Sequence, residues 1–252
     1  MSAPAPRLPP GYRLVRHRVI DSTNEEAKRL ARAGAADRTV IWALAQTAGR
    51  GRRGRPWYSP PGNLYLSLLL RPRAAPERAA QLGFVAALAV GGALAALVPG
   101  LPELRYKWPN DVLLDGRKIC GILLESESGE EDRLCFLIVG IGLNLLAAPP
   151  AAEFPATALA ERGLPAIAPA AALEALVAQF EHWRERWEDA GFAPIRTAWR
   201  QRAVLGGAAR VRLDRRTLYG RLIDIDDEGA LILEEAGEYR RIAAGEVFPA
   251  QG

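Results

Sequence analysis

The sequence predicts an α+β protein: a mixed or antiparallel sheet flanked by helices, followed by a small antiparallel β-barrel. Strand signals crowd together between residues 103 and 145, with helical stretches before and after them. That is not the regular alternation of a parallel α/β fold. Residues 63–70, NLYLSLLL, are apolar enough to be buried on both faces of a sheet. From Leu205 onward, short alternating strands are punctuated by turns at Glu228-Gly229 and Ala236-Gly237. A chain of 252 residues can bury a sizeable core. The expected organisation is a disordered, proline-rich N-terminus over 1–11, a large domain over 12–203 and the barrel over 204–252.

YRLVRHRVI (12–20) predicts the first strand. Ser22-Thr23-Asn24-Glu25 has the form of a capping box, with Ser22 at the N-cap and Glu25 at N3, for a helix that stops at Gly34. TVIWALAQ (39–46) and NLYLSLLL predict strands on either side of an Arg/Gly-rich loop. PERAAQLGFVAALAVGGALAAL (76–97) predicts one long helix with Pro76 in its first turn. ELRYKW (103–108) is a short strand that ends at Pro109-Asn110. DVLLDGRKICGILLES (111–126) then turns at Asp115-Gly116, a strong hairpin signal. RLCFLIVGIGLNL (133–145) is the most hydrophobic strand. Helices around 169–191 and 193–203 precede the barrel, and the stretch between Asn144 and Pro169 has no evident role.

The net charge is +4, and Arg50, Arg52, Arg53 and Arg55 of one loop equal that whole excess. The basicity is therefore local, which argues against a general polyanion binder. Cys120 and Cys135 make no disulfide framework and lack metal-ligand spacing to His17 or His182. Two reduced, buried thiols in a cytoplasmic protein are expected, with the histidines on the surface or in packing roles. The N-terminus has no apolar h-region, so a signal peptide is not expected. Residues 82–98 are uncharged and approach the length of a membrane span, about 20 residues. They are rich in alanine and contain three glycines, which suits a tightly packed core helix better.

Gly49-Arg50-Gly51-Arg52-Arg53-Gly54 fits the dinucleotide fingerprint G-x-G-x-x-G letter for letter. Such a site needs a helix directly after the glycines, because the pyrophosphate rests on that helix's N-terminus. Here Pro56, Pro60 and Pro61 follow, and they cannot continue a helix. Arg71 and Arg73 stand where the acidic ribose-binding residue belongs. What is left is a glycine-rich loop with four fixed positive charges. Guanidinium forks grip phosphate or carboxylate bidentately, and a solvated basic loop or an RNA-binding loop has the same composition.

Lys107-Trp-Pro-Asn-Asp111 puts a lysine, an amide and a carboxylate between two apolar strands, and Lys118 follows Asp111 across the hairpin turn. The hairpin can bring both lysines to one end of the sheet. Two lysines facing a common cleft suit a polyphosphate substrate, while each alone reads as a strand-end charge in water. Asn144 ends the strand GIGLNL, where a buried amide needs partners: an adenine edge or neighbouring backbone.

DSTNEEA, QTAGRGRRGRPW, NLYLSLLL, KWPNDVLLDGRKICGILLES and GIGLNL, in this order, resemble the biotin protein ligase family over about residues 14–146. Residues from 205 on look like that family's C-terminal SH3-like domain. The related lipoate ligases share the superfamily fold but are not expected to combine GRGRRGRPW with KWPND. The resemblance implies a catalytic domain like that of class II aminoacyl-tRNA synthetases. It implies an enzyme that joins the biotin carboxylate to the α-phosphate of ATP as biotinyl-5′-AMP and releases pyrophosphate. The biotinyl group then passes to one lysine of a biotin carboxyl carrier protein, an acetyl-CoA carboxylase subunit or a similar biotin domain. ATP and biotin are then substrates, and Mg²⁺ is expected with them.

By the same resemblance, Ser22, Thr23, Asn24, Gln46, Arg50, Gly51, Arg52 and Lys118 contact biotin. Arg50, Arg52, Arg53, Arg55, Trp57, Lys107, Asn110 and Asn144 contact ATP or the adenylate. Lys107, Lys118 and Arg52 serve the chemistry, and Asp111 orients Lys107 or holds Mg²⁺. Some family members carry an N-terminal winged helix-turn-helix and repress the biotin operon. Only about 13 residues precede the first strand here, so a monofunctional ligase that binds neither DNA nor membrane is expected. Homodimerisation through sheet edges, frequent in the family, is a further expectation. Two rival readings make different predictions. A lipoate or octanoyl transferase would use another acid, and an RNA-binding module would show salt-dependent binding without adenylate formation.

Overall fold

The computed structural model describes residues 6–129 and 133–249. Its larger sheet is built from β1 (Arg13–Ile20), β2 (Thr39–Gln46), β3 (Leu64–Leu70), β4 (Leu104–Lys107), β5 (Asp111–Leu114), β6 (Arg117–Ser128) and β7 (Leu134–Leu143). The seven strands run in the order β1-β2-β3-β7-β6-β5-β4. β1 and β2 are parallel and the other neighbouring pairs antiparallel, so the sheet is mixed. β3 is buried along its whole length, as its unbroken apolar run implies. Asp115 and Gly116 both take positive φ in the turn between β5 and β6.

Strand alternation divides the core between the two faces of this sheet. On one face α1 (Thr23–Arg32) sets Ala27 and Ala31 against Ile41, Leu69, Phe136 and Ile138. On the other, Val40, Trp42, Leu66 and Leu68 pack with α2 (Pro76–Ala79), α3 (Leu82–Leu97), α4 (Pro169–Ala190) and α5 (Phe192–Arg200). α3 lies between the sheet and α4, which is why it has no polar face. Pro76–Leu97 is long and apolar enough to cross a membrane, but 72% of its most apolar window is buried inside the molecule.

The structure amends four expectations. The helix over 76–97 is broken at Ala80-Gln81, where the N–H groups of Gln81 and Gly83 bond only three residues back, to Arg78 and Ala80. The Gln81 side chain there accepts a hydrogen bond from Trp187 Nε1 at 2.8 Å. Ser22 is the N-cap residue of α1 but makes no side-chain cap. Its expected partner Glu25 instead binds Lys28 at 2.9 Å and Arg50. Cys120 is buried as expected, but Cys135 is exposed. In the segment 1–11, residues 1–5 lie outside the described residues. Residues 6–11, expected to be disordered, lie along α4: the Arg7 N–H donates to Glu174 at 3.1 Å and Leu8 packs on the core.

The C-terminal unit is a second, five-stranded antiparallel sheet of β8 (Ala208–Arg212), β9 (Thr217–Ile225), β10 (Leu231–Glu235), β11 (Glu238–Ile242) and β12 (Glu246–Pro249), ordered β11-β10-β9-β8-β12. It docks onto the β4 edge of the larger sheet. Tyr106 exchanges backbone hydrogen bonds with Arg202 and Val204, each 2.8 Å, and Trp108 Nε1 donates to the Gly229 carbonyl at 3.0 Å. Val211, Leu222, Ile225 and Leu231 join the same apolar cluster as the first sheet.

Candidate active site

A cleft of about 530 Å³ opens on the α1 face of the larger sheet. Phe136 and Ile138 of β7 are roofed by α1, whereas Gly140 and Gly142, farther along the same face, have no side chain to fill the space. Gly142 pairs with Gly121 of β6, and together they make a flat floor. The Trp57 indole lies across both. A Cβ added at Gly121 would stand 2.8 Å from the ring, and one at Gly142 closer still. Trp57 Nε1 is buried without a hydrogen-bond partner, so a polar donor is held in reserve beside the cleft.

At one end of the floor the β4–β5 and β5–β6 pairings bring Lys107, Asp111 and Lys118 together. Lys107 Nζ is 2.8 Å from Asp111 Oδ2, and Lys118 Nζ is 2.6 Å from Asp111 Oδ1. Lys107 and Asp111 are only 7% and 6% exposed, so this is a desolvated ion cluster with one positive charge in excess. Burial pushes the Lys107 ammonium below its ordinary pKa, against the pull of Asp111. Burial alone would raise the Asp111 carboxyl, but Lys118 and Lys107 outweigh it and hold the group below the usual carboxylate range. Lys107 also donates to the Val247 carbonyl of β12 at 3.1 Å and sits 4.7 Å from the centre of the Phe154 ring. Lys118 stands 5.2 Å over Trp57.

The opposite wall is the start of α1. Ser22, Thr23, Asn24 and Gln46 all line the cleft. Freed from capping, Ser22 is available to a ligand. Thr23 N–H donates to Gln46 Oε1 at 2.8 Å, and Asn24 Nδ2 donates to Glu125 Oε2 at 2.7 Å. The fully buried Ser67 of β3 bonds Thr23 Oγ1 at 2.8 Å and Asn24 Oδ1 at 2.6 Å. Hydroxyls and amides fixed in this way suit a ligand that carries both N–H and C=O groups.

The Arg/Gly loop is a small hairpin over the cleft. Trp57 N–H bonds the Gly49 carbonyl at 2.8 Å, Gly51 N–H bonds Arg55 at 2.7 Å, and a 3₁₀ turn over Arg52–Gly54 forms the tip. The chain then runs on without a helix to β3, so the context of a dinucleotide site is absent. Carboxylates hold its arginines: Arg50 is paired with Glu25, Arg53 with Asp214, and Arg55 with Glu246 and, at 3.1 Å, Glu153. Arg52 donates to the Gly245 carbonyl at 2.8 Å. Arg50, Gly51, Arg52, Arg55 and Asn110 line the cleft, whereas Arg53 points to the C-terminal sheet.

Asn144 departs from the expected placement. It is 1% exposed and does not line the cleft; its Nδ2 donates to the Thr157 carbonyl at 3.1 Å, so it fastens the segment after β7 from behind. That segment supplies what sequence reasoning missed. Glu153 and Phe154 form one rim of the cleft, and Glu246 and Phe248 of β12 another. Their only signal is an acidic or aromatic residue in an otherwise apolar run, which does not reveal a partner far away in the chain. Asp111, expected to orient Lys107 or hold Mg²⁺, spends its two oxygens on lysines. Among the described residues no group of three or more His, Cys, Asp or Glu side chains could hold a metal ion.

Residues 17–144 match the model of the biotin/lipoate A/B protein ligase family, and residues 205–248 match that of the biotin protein ligase C-terminal domain. The chain is 44% identical over 235 residues to a biotin–[acetyl-CoA-carboxylase] ligase of Paracoccus denitrificans, covering 90% of this chain and 97% of the relative. It is 36% identical to the bifunctional ligase/repressor BirA of Bacillus subtilis (strain 168), covering 94% of this chain and 74% of the relative. Among solved structures, the biotin protein ligase of Aquifex aeolicus in complex with biotin and ATP superposes with a TM-score of 0.78 at 28% identity, covering 93% of this chain and 97% of that one.

Proposed function

Because the chain belongs to the biotin protein ligase family and is an ATP-dependent biotin ligase, we propose a division of labour within its cleft. Biotin lies beside the Trp57 indole that covers the Gly121–Gly142 floor, with its polar ring against Ser22, Thr23, Asn24 and Gln46. ATP enters from the side of the C-terminal sheet, beneath the arginine hairpin. In the first step a biotin carboxylate oxygen attacks the α-phosphorus, the bond to the β-phosphate oxygen breaks, and pyrophosphate leaves. Two anions must meet for this. At 4 Å two unit charges repel by about 4 kcal/mol at an effective dielectric constant near 20. Lys118 and Lys107 supply the compensating charge, with Arg52 closing over them, and Asp111 keeps the two ammonium groups in place.

In the second step the amine of a carrier lysine attacks the biotinyl carbon, the amide forms and AMP leaves. The carrier is the biotin-bearing subunit of acetyl-CoA carboxylase, the substrate in the name of the Paracoccus relative. Arg50, Arg53 and Arg55 exchange their carboxylate partners for the triphosphate, and Trp57 and Asn110 border the adenylate. Asn144 acts from behind by fixing residues 157–159. Mg²⁺, if bound with ATP, would rest chiefly on the phosphates and add positive charge beside Lys107 and Lys118. The catalytic domain spans 12–203, with the architecture of class II aminoacyl-tRNA synthetases, and 204–252 form an SH3-like barrel. The family resemblance alone supports a cytoplasmic location and a homodimer.

The observation that carries this reading is the lysine–aspartate–lysine cluster facing a wall of neutral polar groups across one cleft. ATP–pyrophosphate exchange tests it. Biotin should drive exchange and lipoate should not; exchange driven by lipoate, or none with biotin, refutes it.

A further inference from the structure

Ser59 stands outside every motif that points to the ligase reaction, yet it joins the biotin wall to the base of the arginine hairpin. Its backbone carbonyl accepts from Gln46 N–H at 3.3 Å. Its hydroxyl donates to the Trp57 carbonyl at 2.8 Å and accepts from Gln46 Nε2 at 3.0 Å. The proton order is fixed by elimination. A serine hydroxyl has one proton, and a carbonyl can only accept, so Ser59 must take the Gln46 contact on a lone pair. That turns the Gln46 amide oxygen toward the Thr23 N–H, 2.8 Å away, and toward Thr23 Oγ1 at 3.1 Å. With the amide reversed, an N–H would face the Thr23 N–H. Ser59 and the Thr23 N–H together fix which face Gln46 offers to a ligand.

Gly49 shows how tightly this junction is built. A Cβ there would stand 2.5 Å from Ser59 Oγ, 2.8 Å from Gln46 Nε2 and 2.9 Å from the Trp57 carbonyl. The φ of Gly49 is not positive, so the glycine is needed for close approach and not for backbone conformation. The first glycine of the false dinucleotide fingerprint makes room for three converging polar groups.

We propose that Ser59 is a positioning residue that couples occupancy of the biotin site to closure of the arginine hairpin, through the chain Thr23–Gln46–Ser59–Trp57. The proposal rests on the assignment of Thr23 and Gln46 to biotin. A ligand that engages these two holds the Gln46 amide in place and, through the Ser59 hydroxyl, holds the carbonyl of Trp57 at the hairpin's root. Ser59→Ala removes one donor and one acceptor while leaving the backbone bond. Gly49→Ala keeps Ser59 but pushes the three groups apart.

The test measures biotin affinity without ATP, ATP affinity without biotin, release of free adenylate during turnover, and melting temperature for both single variants and the double variant. Each single variant should weaken biotin binding by about tenfold, as expected for one lost buried hydrogen bond, and raise adenylate release. ATP affinity should be unchanged in Ser59→Ala, which keeps the backbone bond to Gln46, and the double variant should bind biotin no worse than the weaker single, because both cut the same chain. Losses that add in the double variant, biotin affinity equal to wild type in both singles, or a melting change alone would overturn the coupling. Wild-type protein that fails to bind biotin would instead overturn the assignment of the biotin wall.

Discussion

Asp111 is the residue on which the electrostatics of the cleft turn. Removing its charge leaves the buried Lys107 ammonium beside the partly exposed Lys118 ammonium with no carboxylate between them, and breaking a buried cluster typically costs about 3–5 kcal/mol. Asp111→Asn should therefore lower the urea midpoint of unfolding strongly near neutral pH. The folded-state pKa of Asp111 lies below that of an unfolded aspartate, so its contribution is complete above the unfolded value, near pH 4. It fades as the pH falls through the lowered folded value, where the wild type becomes protonated as well. The gap between wild type and variant should close on that acid side; a gap that widens there contradicts the ion cluster. Lys118→Gln should reduce biotin-driven pyrophosphate exchange on the order of 10²–10³-fold with little loss of stability, as for removal of one transition-state donor. These residues were legible because KWPND and the hairpin lysine break apolar strands at defined places. Asn144 is less legible for a related reason. Its burial at a strand end was legible, but the choice between a ligand and the Thr157 carbonyl depends on a chain segment with no pattern of its own.

At the scale of elements, the strands were legible almost to the residue. β2 matches TVIWALAQ, and the β5–β6 turn falls at Asp115-Gly116. Period and turn chemistry are local, and so is the information they need. The capping box failed because Glu25 found stronger partners in Lys28 and Arg50, both cationic and one of them from the hairpin. The break in the helix over 76–97 falls at Gln81, whose side chain is committed to Trp187 on α4, a contact invisible to helical periodicity. The hairpin itself is held closed by tertiary bonds, among them Arg52 to the Gly245 carbonyl. Arg52→Gly should loosen it, so that adenylate escapes and biotin appears on bystander proteins in a turnover mixture. Labelling still confined to the carrier would mean that Arg52 does not retain the adenylate.

On the scale of the whole molecule, the C-terminal sheet completes the cleft. The Val247 carbonyl binds Lys107, and Glu246 faces the arginine hairpin. This convergence could not be read from the sequence, because at the cleft the C-terminal sheet contributes backbone carbonyls, Glu246 and Phe248, which no motif ties to residues so far away in the chain. The distribution of amines is also a property of the entire chain. Only Lys28, Lys107 and Lys118 occur among its 33 lysines and arginines, and each ammonium is tied to a carboxylate. Arginine stays protonated and does not acylate readily, and Lys28 is held above its ordinary pKa because Glu125 and Glu25 outweigh its burial. Incubation with biotin and ATP alone should leave these lysines unmodified in peptide mass maps. A biotinylated Lys28 would show that the ion pairs do not protect it.

Ligase activity itself is read out by the intact mass of an apo biotin-carrier domain after incubation with this protein, biotin, ATP and Mg²⁺. The carrier should gain one biotinyl group at a single lysine, and the gain should be lost on omission of ATP and strongly slowed by Lys118→Gln. An unchanged carrier mass, or a gain only when lipoate replaces biotin, would contradict the assignment of this cleft to biotin adenylation and transfer.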